Sequence, residues 1–146
     1  MIYTVYTDAA ASAEKKRSGC AYVIFTDKQF VAADSVRVDL TYKPTHAEII
    51  AIGLAAAKFI DKINVKPGDV VQINSDCMFA VDLCRQLMDN DAPVHIKSPA
   101  VKNSIQVLRQ LYQKCNVTIH KVHGHKDVVN PNMFVDRLAK LPIRRD

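Results

Sequence analysis

No stretch of this chain reaches eighteen consecutive apolar residues, so no membrane-spanning helix is expected. The opening Met1-Ile2-Tyr3 lacks a basic segment followed by an apolar run, so no secretory signal is expected and the reading is cytoplasmic. The four cysteines (Cys20, Cys77, Cys84 and Cys115) contain no CxxC pair, and none stands beside histidine at zinc-finger spacing. That argues against a structural zinc site and for reduced thiols buried as small apolar residues. There is no internal repeat, no linker and no low-complexity segment. A solenoid or a string of domains is therefore not expected.

What is present fits one domain over residues 1–146 and a monomer. The apolar fraction of 49% supports a real core, and the charged fraction of 24% is that of an ordinary soluble protein. The formal net charge is +5. A basic excess beside an acidic cluster fits an enzyme acting on nucleic acid.

Three β-type runs come first, at residues 2–8, 20–26 and about 30–38. Their short linkers predict consecutive antiparallel pairing. The first linker, Ala9 to Gly19, is small and polar, and Gly19 is the expected backbone-permissive point before the second strand. Residues 45–62 read as a helix, with Thr45 as cap and Glu48 at the capping-box position. Pro67-Gly68-Asp69 marks a turn. A strand at 70–75, helices at about 77–88 and 100–114, and a strand at 117–122 follow. A loop at 123–131 leads to a short terminal helix at 133–140. A β-meander followed by strand–helix alternation implies an α/β fold with a mixed sheet and helices against it.

Four carboxylates occupy telling places in this string. Asp8 ends the first strand, Glu48 lies in the first turns of the long helix, Asp76 ends the fourth strand, and Asp136 lies in the terminal helix. Partly buried carboxylates are costly to leave unpaired. Shared divalent cations, which prefer hard oxygen ligands, make such a cluster reasonable. Each residue also has a plainer reading. Asp8 and Asp76 are good helix caps, Glu48 is a capping-box residue, and Asp136 is an i,i+4 partner for Lys140. The coincidence of all four favours the cluster.

Tyr6-Thr7-Asp8-Ala9, Thr45-His46-Ala47-Glu48, Asn74-Ser75-Asp76, Val122-His123-Gly124-His125, and Asn132 with Val135-Asp136-Arg137-Leu138-Ala139 together resemble the type 1 ribonuclease H family. The likeness runs through nearly the whole chain, in the family's order. It implies the ribonuclease H-like fold, a five-stranded mixed sheet in the order 3-2-1-4-5 flanked by helices. It implies a metal-dependent endoribonuclease that hydrolyses the RNA strand of RNA–DNA hybrids, leaving 5′-phosphate and 3′-hydroxyl ends. The metal ligands carry over to Asp8, Glu48, Asp76 and Asp136. Asp8 would bridge two Mg²⁺ ions, with Mn²⁺ as the alternative. His125 would assist proton transfer or product release. Phosphodiester hydrolysis needs an activated water on one side of phosphorus and a stabilised leaving oxygen on the other, which two ions about 3.5–4 Å apart provide.

The sequence departs from the family in its substrate-gripping parts. Residues 41–47 lack the paired asparagines that many members carry, and Thr45 and His46 stand there instead. Between Asp89 and Pro99 only Lys97 is basic, and the chain has no tryptophan. The basic, tryptophan-rich protrusion of many bacterial members is therefore absent. Thr45, Asn132, Lys15, Lys16 and Arg17 are the candidate substrate-binding residues.

Overall fold

Alternation along the second strand decides the layering. Cys20, Tyr22 and Ile24 face one side of the sheet, and Ala21 and Val23 face the other. Both sides are covered. The computed structural model describes residues 1–27, 29–123 and 131–144. Strands β1 (Ile2–Ser12), β2 (Arg17–Thr26) and β3 (Gln29–Asp39) form an antiparallel meander. Strand β4 (Val70–Ser75) lies parallel to β1, and β5 (Asn116–Lys121) parallel to β4. The sheet order is β3-β2-β1-β4-β5, as expected.

Helices α1 (Pro44–Lys58), α2 (Met78–Leu87) and α3 (Pro99–Lys114) cover the face that holds the larger core. Ile49, Ile52, Phe59, Ile73, Ile105 and Leu108 are fully buried there. Helix α4 (Pro131–Arg144) covers the opposite face, where Val135 and Ala139 meet Ala21 and Val23. All four cysteines are free, and Cys20, Cys84 and Cys115 are buried.

Several element limits differ from the sequence reading. Strand β1 does not stop at Asp8 but runs to Ser12, and β2 begins at Arg17 rather than 20. The residues between were expected to form a linker because they are small and carry no alternating apolar signal. They continue the ladder, with Ala10 opposite Gly19 and Ser12 opposite Arg17. Gly19 is accordingly not a backbone-permissive point before β2 but a residue within it. A Cβ there would lie 1.8 Å from the Ala139 carbonyl oxygen, so Gly19 is required by the close approach of α4 to the sheet.

The long helix also divides. It is α-helical to Lys58 and closes with a π-helical turn over Phe59–Ile63, where Asn64 and Val65 both donate to the Phe59 carbonyl. Its N-cap is Lys43, and Pro44 opens its first turn. Thr45 therefore does not cap it, and Glu48 lies beyond the capping-box position.

The terminal helix is longer than the expected 133–140 and carries Pro142 inside it. Proline removes the N–H that would bond the carbonyl four residues back. That carbonyl, on Leu138, accepts instead from the Ser35 hydroxyl of β3. The Ile143 carbonyl accepts from Lys15 Nζ at 2.9 Å and Arg17 Nη2 at 2.7 Å. Cations at a helix C-terminus also suit its dipole.

Gly19→Ala is expected to lower stability by about 1–3 kcal/mol, the usual cost of forcing extra volume into close packing. Urea unfolding measures it. An unchanged midpoint would mean that α4 is free to lift off the sheet.

Candidate active site

Strand β4 stops pairing with β1 at Asn74, opposite Tyr6, while β1 continues along β2. Beyond Tyr6 the β4-side edge of β1 is thus open, and Asp8 lies there with only 5% of its surface exposed. Asp76 follows the last residue of β4 directly. It is not the cap of α2, whose N-cap is Cys77, and the Cys77 N–H is taken by the Ser75 hydroxyl. Glu48 comes from α1. Among the described residues, one ligand oxygen from each of Asp8, Glu48 and Asp76 falls within 4.8 Å of the others. Asp136, from α4, lies close enough to Asp8 to raise the pKa of its carboxyl, and Asp8 does the same to Glu48. The four carboxylates therefore converge from β1, β4, α1 and α4 on one place at the open edge of β1.

Neighbouring groups hold the cluster in shape. Asp8 Oδ1 accepts from its own following N–H, Ala9, at 2.9 Å. Asn74 Nδ2 donates to the Val5 carbonyl at 3.0 Å, tying β4 to β1 just below the site. The Cys20 thiol, buried near Asp8 and Glu48, donates to the Ala47 carbonyl at 3.4 Å. Lys140 Nζ lies 2.9 Å from Asp136 Oδ2, so the i,i+4 pair read from the sequence exists alongside the cluster.

The electrostatics follow from burial and like charge. Burial, then the Asp76 charge, push the Asp8 carboxyl up to about 8. Burial, then the charges of Asp8 and Asp76, push Glu48 up to about 9. Carboxyls in this state hold protons near neutrality unless a cation replaces them. Glu48 Oε1 is buried with no hydrogen-bond partner. An orphaned carboxylate oxygen in an all-oxygen cluster fits a hard divalent cation. Asp8, Glu48, Asp76 and Asp136 have the chemistry to hold one.

The other residues singled out in the sequence are placed less centrally. Thr45 is the second residue of α1 and partly exposed. Lys15 and Arg17 bond to the end of α4, and Lys16 lies in the β1–β2 turn with φ 52°. His125 lies outside the described residues, as does the side chain of Asn132. Segment 88–98, between α2 and α3, carries no basic protrusion. Arg109 donates to the Leu87 and Ala92 carbonyls at 2.7 and 2.6 Å, and Val94 and Ile96 pack on the core.

A mixed sheet in this order, with an acidic cluster at the open edge of its central strand, defines the ribonuclease H-like class of folds. The RNase H family model matches residues 2–144, and the chain belongs to the RNase H family. Solved structures agree at the level of the fold. The RNase H1 of the halophilic archaeon Halobacterium salinarum is 15% identical with a TM-score of 0.73, covering 99% of this chain and 98% of that one. The N-terminal RNase H domain of a Mycobacterium tuberculosis protein is 13% identical with a TM-score of 0.75, over 98% and 94%. LC11-RNase H1, solved in complex with an RNA/DNA hybrid, is 16% identical with a TM-score of 0.70, over 97% and 96%. No curated protein sequence matches the chain. Among the described residues no helix is long and apolar enough to cross a membrane.

The raised carboxyls make a pH prediction. A folded-state pKa above the unfolded value gives stability that is complete below the ordinary carboxylate range. That stability is lost as pH rises through about 8 and 9. In cation-free buffer, Asp8→Asn should therefore gain on the parent as pH rises from 4 to 9. The gain expected is about 4 °C in Tm, the shift that about 1 kcal/mol produces. Saturating Mg²⁺ should erase that gain by stabilising the parent. Parallel Tm–pH curves for the two proteins would show that Asp8 is not crowded by like charge.

Proposed function

We propose that this ribonuclease H hydrolyses the RNA strand of RNA–DNA hybrids with two Mg²⁺ ions, leaving 5′-phosphate and 3′-hydroxyl ends. The observation that carries the reading is the meeting of Asp8, Glu48 and Asp76 within 4.8 Å, with Asp136 near enough to raise the Asp8 carboxyl. Asp8, Glu48 and Asp76 would hold one ion, and Asp8 with Asp136 the other. When bound, the ions activate the attacking water and stabilise charge on the leaving oxygen.

The chain's own residues supply position. Asp8 is fixed by the Ala9 N–H and by burial, so its carboxylate does not swing away when its neighbours ionise. Asp136 is restrained by Lys140, whose ammonium offsets its charge. His125 is the proposed proton-transfer group, since imidazole titrates close to neutrality. Thr45, at the start of α1, and Asn132, in the first turn of α4, are proposed to contact the substrate. Discrimination of RNA from DNA would rest on 2′-hydroxyl contacts. Residues 1–146 act in this reading as one catalytic domain.

The test is cleavage of a labelled hybrid in Mg²⁺, set beside DNA duplex, RNA duplex and a four-way junction. Asp8→Asn should reduce hybrid cleavage to background with the fold intact. His125→Ala should cost less, within the about 10²–10⁴-fold that general acid–base help contributes. Preferential cutting of the junction, or of DNA duplex, would replace this reading with another nuclease of the same fold.

A further inference from the structure

Segment 88–98 carries no basic protrusion, so another cationic surface is needed to hold a substrate. Helix α4 carries Arg137, Lys140 and Arg144, spaced i, i+3 and i+7, which places them on one face. The opposite face of α4, through Val135 and Ala139, is fully buried against β2. The cationic face is therefore the solvent face. Asp136 is the only carboxylate in residues 131–144, and Lys140 spans to it at 2.9 Å. Among the described residues, Arg137 and Arg144 have no acidic partner. A concavity of about 760 Å³ is lined by Asp136, Arg137, Lys140 and Arg144 together with the half-exposed Phe134 and Leu141.

The two ends of this surface matter. One end is Asp136, a member of the carboxylate cluster. At the other end, Lys15 and Arg17 reach the Ile143 carbonyl, which brings the cations of the β1–β2 turn, Lys16 included, beside Arg144. Arg137 and Arg144 are seven residues apart, about 10 Å along the helix. That span matches about three phosphates at 3.4 Å of rise each along a strand.

We infer that the outer face of α4, continued by the β1–β2 turn, is a phosphate track that carries the nucleic-acid backbone away from the active centre. Arg137 and Arg144 are its principal contacts. The occupant is the substrate hybrid beyond the position of cleavage, so the inference rests on the hybrid-cleaving reading above. Continuity with the carboxylate cluster selects a phosphodiester chain over other anions. The surface supplies point charges and bidentate arginine forks for phosphate. It has no row of base-reading amides, so it binds without regard to sequence.

The experiment compares the parent with Arg137→Gln/Arg144→Gln and with Arg137→Lys/Arg144→Lys. Hybrid binding is measured on an Asp8→Asn background across salt concentrations, and cleavage on the active enzyme in Mg²⁺. The glutamine variant should lower the salt slope of log K by about 1.8, or 0.9 for each phosphate that is no longer neutralised. Its KM on a long hybrid should rise while kcat holds, and a hybrid too short to reach the β1–β2 turn should show a smaller rise. The lysine variant should keep most of the slope. Both substitutions are on exposed side chains, so Tm should match the parent's. If the parent cleaves hybrid and the glutamine variant keeps the parental slope and KM, the track is wrong while the catalytic reading stands. If kcat on the short hybrid falls as well, the arginines act through Asp136, and the track is again wrong. A parent that cleaves no hybrid in Mg²⁺ overturns both readings.

Discussion

The mutual repulsion of carboxylates around Asp8 is the constraint on which the rest of the structure depends. Asp8 is nearly buried and feels the charge of Asp76, with Asp136 and Glu48 close beside it. Left alone, such groups would separate or expose themselves to water. They stay together because each is carried by an element fixed by apolar packing elsewhere. Glu48 is held by α1, whose Ile49 and Ile52 are buried in the main core. Asp76 is held by β4, clamped between β1 and β5. The core thus stores electrostatic strain at the site, and a cation is the natural means of relieving it.

The four supports are not equally firm. Three belong to the sheet or to the larger core. Asp136 belongs to α4, whose buried face is Val135 and Ala139 against the small side chains of Ala21 and Val23. Small residues let the helix lie close but bury little area, so apolar stabilisation there is modest. Polar contacts compensate. Ser35 takes the carbonyl that Pro142 leaves unpaired, and Lys15 and Arg17 take the Ile143 carbonyl. The carboxylate most separable from the cluster is thus Asp136, on an element held largely by hydrogen bonds at its far end. In the proposed two-ion reading, that would suit a ligand whose ion arrives together with substrate.

The sequence carried the succession of strands and helices, because β-branched runs and a long apolar helix leave strong periodic signals; the sheet order came with the resemblance to the ribonuclease H family, and the four carboxylates with their joint placement. It carried the local roles less well, for reasons of size and context. Ala9-Ala10-Ala11-Ser12 reads as a linker because small residues give no alternation, although smallness is what lets α1 and α4 pack on either side of β1. Glu48 reads as a capping-box residue if Thr45 is the cap. Pro44 moves the start of the helix forward and places Glu48 too deep to cap, with its side chain in the site. Gly19 reads as a backbone-permissive point before the second strand, since nothing local announces a helix arriving from residue 139. The terminal helix reads as ending at 140, yet it runs on through Pro142, with the distant Ser35 hydroxyl taking the carbonyl that the proline leaves unpaired. For Gly19 and the terminal helix the missing information was a long-range contact, which local propensity does not encode.

The same logic bears on where a substrate is gripped. Segment 88–98 is folded down onto the core by Val94, Ile96 and the bonds of Arg109, which removes it as an extended handle. A domain with a net charge of +5 still concentrates positive potential somewhere. The two cations that bond Ile143, the turn residue beside them and the α4 stripe lie along one side, past Asp136. A phosphate chain attracted by that side would approach the carboxylates from the α4 direction and meet Asp136 first. The order in which the cluster is neutralised would then follow from geometry. In the proposed reading the least firmly packed carboxylate would meet substrate first, while Asp8, Glu48 and Asp76, with the orphaned Glu48 oxygen among them, have the close spacing that a first cation needs.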